Sequence, residues 1–111
     1  MTRTVMIGDV EVPMAADAFT PIHFYAVFKE DLLAKTEAIS SGAFGTELYE
    51  LYSKLGFILA KRAEHADMAA ITPEDFEEWL AKFEFVDMTD AVIDIADLYA
   101  FSKKGTVNPK A

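Results

Sequence analysis

Cysteine is absent from this 111-residue chain, so neither a disulfide framework nor a thiolate metal site can be built. Histidine is scarce. Only His23 and His65 occur, too far apart in sequence for a metal motif of fixed spacing, and each reads as a surface or capping residue. Positive charge is short as well, with 10 Lys and Arg against 19 Asp and Glu, a net charge of −9 and a pI near 4.5. That balance disfavours nucleic-acid backbones and anionic membranes, which need a basic footprint. It favours solubility and partners with basic surfaces. No apolar run approaches the ~20 residues of a membrane span. The amino-terminal MTRTVMIGDVEV is charged and alternating, without the apolar core of a signal peptide, so cytoplasm is the expected compartment. GAFG at 42–45 lacks the lysine and the preceding strand of a phosphate loop. No serine stands in a recognisable nucleophile context. Composition and motifs therefore predict no catalytic residue, no cofactor and no metal.

Apolar residues make up 52% of the chain, too many for a disordered polypeptide. The length suits one domain, which at this size buries roughly two thirds of its unfolded surface. That domain is expected over residues 1–101. Ser102 to Ala111, SKKGTVNPKA, is polar, carries Gly and Pro, and reads as a flexible tail.

The strongest local signal is ITPEDFEEWLAKFEF, Ile71 to Phe85. Thr72 is a good N-cap and Pro73 sits at the first helical position, where no donor is missed. Glu74 and Asp75 place negative charge at the positive end of the helix dipole. Phe76, Trp79, Leu80 and Phe83 then recur at helical spacing as one apolar face, with Glu77, Glu78 and Lys82 opposite. A helix this aromatic must bury its face against the rest of the chain.

The remaining pattern gives an α+β fold, mainly α: an N-terminal β-hairpin followed by a bundle of four to five helices. Thr4 to Met14 reads as the hairpin, because Gly8-Asp9 suits a two-residue turn. That turn sets Ile7 opposite Val10 and Val5 opposite Val12 on one face, with Met6 and Glu11 on the other. Pro13 is expected to limit the second strand. Thr20-Pro21 repeats the Thr-Pro start signal, for a helix to about Lys29 that presents Phe24, Tyr25 and Phe28. Asp31 caps a continuation through Leu32, Leu33 and Thr36, and Ser40-Ser41-Gly42 is a break, read as a mobile loop. Leu48, Leu51, Tyr52, Leu55, Ile58 and Leu59 mark the longest helix, Thr46 to about Ala66. Within it Gly56 is either a weak point costing about 1 kcal/mol or a place of close helix approach. Asp87 or Thr89 caps a last helix to about Phe101, with Val92, Ile95, Ala96 and Tyr99 as its apolar stripe.

Two groups of side chains are candidates for a functional surface. Asp90, Asp94 and Asp97 share one helix face. Helical spacing splays these carboxylates too far for a calcium site, which leaves a contact face for a basic partner or a solvated face. Tyr25, Phe28, Leu32, Phe76, Trp79 and Phe83 form either the core or an exposed groove that takes a partner helix.

The order of motifs is distinctive. FYAVFKEDLLA at Phe24 to Ala34 follows the hairpin, then LYELYSKLGFILAKRA at Leu48 to Ala63, FEEWLAKFEFVDM at Phe76 to Met88, LYAFS, and the polar end TVNPKA. Tyr25, Phe28, Asp31, Leu32, Leu33, Trp79 and Leu80 carry the pattern. It resembles the tail assembly chaperones of long-tailed bacteriophages and prophages of Gram-positive bacteria. The resemblance implies a non-enzymatic, holdase-like protein of the host bacterial cytoplasm, absent from the mature virion. Such a protein binds the helical tape measure protein while the tail tube polymerises around it. A hairpin edge and a polar tail would serve self-association into a homo-oligomer or recruitment of tail tube protein. A different class is also open: an acidic adaptor or inhibitor that binds a basic partner as a nucleic-acid mimic.

Overall fold

The computed structural model describes residues 2–39 and 45–105. It is an α+β fold, mainly α, with an N-terminal hairpin and five helices. β1 (Thr2–Ile7) pairs antiparallel with β2 (Val10–Ala15) in the register expected from the turn, Ile7 opposite Val10 and Val5 opposite Val12. Gly8 takes a φ of 63°, which suits a residue without Cβ at the first turn position. A Cβ there would also meet Asp87 Oδ2 at 2.5 Å. Val5, Ile7, Val12 and Met14 are buried. Val10, beside the turn, is half-exposed. The second strand passes through Pro13 instead of stopping there. The pairs flanking a two-residue turn alternate between hydrogen-bonded and unbonded, and Pro13 opposite Thr4 falls on an unbonded pair. Its missing N–H therefore faces the outer edge, where proline is tolerated.

Helix α1 (Thr20–Phe28) ends at Lys29, whose φ of 58° closes it in the left-handed region. Thr20 is the first helical residue and not the N-cap, and its Oγ1 accepts from the Asp17 N–H at 3.0 Å. Asp17 in turn accepts from the Phe19 N–H at 2.9 Å and pairs with Arg62. Asp31 caps α2 (Leu32–Ile39) by accepting from the Ala34 N–H at 3.0 Å. The break expected at Ser40-Ser41-Gly42 lies outside the described residues.

Helix α3 (Thr46–Ala63) is the axis of the molecule, touching β2, α1, α2, α4 and α5. From Leu55 to Ala60 every residue is buried, so this stretch is apolar all round, the mark of a central helix. Gly56 lies at a close approach: a Cβ there would meet Ile95 Cδ1 at 2.5 Å. The helix ends in a Schellman closure. Ala66 N–H donates to Lys61 O at 3.1 Å and His65 N–H to Arg62 O at 3.0 Å, with His65 left-handed at φ 59°.

A 3-10 turn (Met68–Ala70) leads to α4 (Pro73–Leu80). Thr72 caps it, and Asp75 returns a bond to the Thr72 N–H at 2.9 Å, completing a capping box. The helix expected to Phe85 stops at Leu80. Lys82 N–H donates to Trp79 O and Phe83 N–H to Leu80 O in a tight turn. That turn folds the Phe83 ring back onto Trp79, with centroids 5.1 Å apart, so the apolar spacing outlives the helix. Helix α5 accordingly starts at Phe85 and runs to Gly105, earlier and longer than the caps at Asp87 or Thr89 imply. Its buried side carries Met88, Ala91, Val92, Ile95, Leu98 and Tyr99. Of the tail expected at 102–111, residues 102–105 are helical, and 106–111 lie outside the described residues.

Candidate protein-contact face

The nine side chains singled out from the sequence divide into an inner and an outer group. Leu32, Phe76 and Trp79 are buried, and Phe28 and Phe83 are half-buried. The four aromatic ones belong to a continuous tier of rings. Phe28 lies 5.4 Å from Phe76, Phe76 5.7 Å from Phe57, and Phe57 5.6 Å from Trp79, in tilted or edge-on geometry. Such pairs add attraction beyond the area they bury. Phe57, fully buried at the centre of the tier, lies off the stripe read along α3. Its signal is the unbroken GFILA run, which fits a helix covered on all sides.

A rim of charge closes this tier. Lys54 Nζ sits 5.2 Å from the Phe28 ring centroid and bonds Glu30 at 2.9 Å and Glu50 at 3.1 Å. Burial alone would lower the Lys54 amine, but its bonds to the two glutamates and their charges hold it above the usual lysine value. Glu30 and Glu50 also line an open cleft of about 230 Å³ between α2 and α3, with Lys35, Ala38, Glu47 and Leu51. The Tyr52 hydroxyl is pushed up by burial and by Tyr99. Both shifts lead away from neutral pH, so neither group titrates near pH 7. Among the described residues, no group of three or more His, Asp and Glu side chains could hold a metal ion. No helix there is long and apolar enough to cross a membrane.

The outer group consists of Tyr25, Asp90, Asp94 and Asp97, all exposed. Tyr25 stands with Phe19 and Ile22 on the outside of α1. The three aspartates lie on the outside of α5 with two apolar residues not singled out beforehand, Val86 and Ile93, which are 67% and 57% exposed. Val86, Asp90, Ile93 and Asp97 follow at steps of four, three and four, one stripe along the helix. Apolar and acidic groups alternate along it, and Asp94 flanks it. Between Phe83 and Ser102 the chain carries no Lys or Arg, so no basic residue is interleaved with that row in sequence, and the two lysines of α5, Lys103 and Lys104, come after it. Such a face fits a partner helix that alternates apolar and basic side chains.

Most residues behind the chaperone resemblance hold the fold. Asp31 is an exposed cap, Leu32 and Trp79 are core, Phe28 and Leu80 pack against it, and Tyr25 and Leu33 stand out in solvent. Comparison with protein-family models, curated proteins and solved structures gives no match.

Proposed function

We propose that this chain is a binding protein of the tail assembly chaperone kind, which holds the helical tape measure protein in soluble form during tail tube assembly. One observation carries the reading: the exposed α5 stripe that alternates Val86 and Ile93 with Asp90 and Asp97. A holdase for amphipathic helices needs apolar contact area on a surface that stays soluble by itself, and this stripe combines the two. The motif order around Tyr25, Leu32 and Trp79 supports the same reading from the sequence side. The work is done by contact, with no substrate turned over, in the host cytoplasm and outside the finished virion.

Co-expression with the tape measure protein tests it. The expected result is a several-fold rise in soluble tape measure protein, co-purification of the two, and loss of both in a Val86→Ser, Ile93→Ser double variant. Unchanged solubility with no co-purification rejects the proposal. The aspartate row also favours a second reading, an acidic adaptor that mimics nucleic acid. The two part on salt: a mainly electrostatic contact weakens steeply as the Debye length shrinks, whereas an apolar one persists.

A further inference from the structure

The two edges of the hairpin are built differently. β2 carries Glu11 and Pro13 on its outer edge, and charge and proline are both devices that stop further strand pairing. β1 carries neither. Its sequence is TRTVMI, without proline, lysine or any carboxylate, in a chain of net charge −9. Because Ile7–Val10, Val5–Val12 and Arg3–Met14 occupy the bonded positions of the ladder, the backbone groups of Thr2, Thr4 and Met6 face outward. All three residues are exposed. Among the described residues no third strand covers that edge, and no backbone bond outside the hairpin reaches it.

We infer that β1 is a self-association edge, and that a second copy of this chain pairs with it antiparallel to give a four-stranded sheet across a two-fold axis. The occupant follows from charge and symmetry. Two molecules at −9 repel one another, and β1 is an edge on which neither brings a carboxylate. A strand edge is self-complementary when reversed, since each outward residue offers one donor and one acceptor. Centring the axis on Thr4 places Thr4 opposite Thr4 and Thr2 opposite Met6 of the second copy. All three outward residues are then used, each bonded pair exchanging two hydrogen bonds. Met6, 47% exposed, gains cover from the Thr2 methyl across the pair. A sheet of two strands is marginal and one of four is not. The contact is smaller than the ~800 Å² per partner of a stable interface, so the dimer is weak, with a Kd on the order of 100 μM. This inference is independent of the chaperone reading, because it can be tested on the purified chain alone.

Sedimentation equilibrium on the full chain from roughly 10 μM to 1 mM should show a monomer–dimer equilibrium in the range expected for so small a contact. Thr4→Pro removes an outward donor without removing a hairpin bond, and should weaken dimerisation at least ten-fold. Met6→Lys adds an edge charge with no backbone change, and should do the same if the proline variant fails to fold. The chain lacks cysteine, so Thr4→Cys supplies a single thiol, and it should cross-link on oxidation far faster than Glu77→Cys on exposed α4. A monomer at every concentration, with the two cysteine variants cross-linking equally slowly, overturns the inference. So does a monomer whose Thr4 and Met6 amides are protected from hydrogen exchange, because the edge is then covered from within its own chain.

Discussion

The ring tier around Phe57 and the outer stripe of α5 use similar side chains to opposite ends. In the tier, Phe57, Phe76 and Trp79 lose almost all contact with water and touch one another at 5.6 to 6.5 Å. On the stripe, Val86 and Ile93 keep more than half their surface in solvent and alternate with the carboxylates of Asp90 and Asp97. An apolar side chain contributes to folding only as far as folding takes it out of water. The tier is therefore where stability resides, and the stripe is free to serve contact.

The sharpest separation comes from truncation. Phe57→Ala should destabilise the chain by about 3–5 kcal/mol, through lost burial and the cavity left among Phe28, Phe76 and Trp79. Urea unfolding followed by Trp79 fluorescence measures it. A loss under about 1 kcal/mol would mean that the tier is loosely packed and the contrast with the stripe is false. Thr72→Ala comes next, at about 1 kcal/mol, since it removes the cap of the helix that delivers Phe76 and Trp79. The double change Val86→Ser, Ile93→Ser should move the unfolding midpoint by no more than about 0.5 kcal/mol. A large loss of stability from that pair would place the stripe inside the fold and remove it as a contact face.

How much of this contrast the sequence discloses depends on the element. Hairpin register is legible, because Gly8-Asp9 and the alternation of Val5, Ile7, Val10 and Val12 specify the same pairing. The start of α4 is legible too, since Thr72, Pro73 and Asp75 are local signals that act over one turn. Its end is not. Phe83 keeps the helical period although its backbone has turned, because ring packing on Trp79 selects the residue and not helical geometry. Pro13 misleads in the same way, as its effect depends on which ladder position it meets. The outer site is half legible. Asp90, Asp94 and Asp97 announce an exposed face by charge. Val86 and Ile93 cannot be told from core residues by type, and only the packing of α5 against β1 and α3 decides that they face out.

The Asp17–Arg62 pair joins the β2–α1 connector to the last turn of α3. Partial burial would raise the Asp17 carboxyl, but the Arg62 bond, the Phe19 N–H and the charges of Arg62 and His23 hold it below the ordinary value of 3.8. A depressed folded-state value means that the native chain holds its proton less tightly than the unfolded chain. The associated stability is fully present above pH 3.8 and is lost as pH falls through the lowered value. The Asp17 side chain is 37% exposed, so solvent screening limits the effect to roughly 0.5 kcal/mol. Asp17→Asn should therefore be slightly less stable than the parent at pH 7 and equal to it near pH 2, in urea titrations run across that range. A difference that persists at pH 2, where the carboxyl is protonated, would show that the ion pair with Arg62 is not its source.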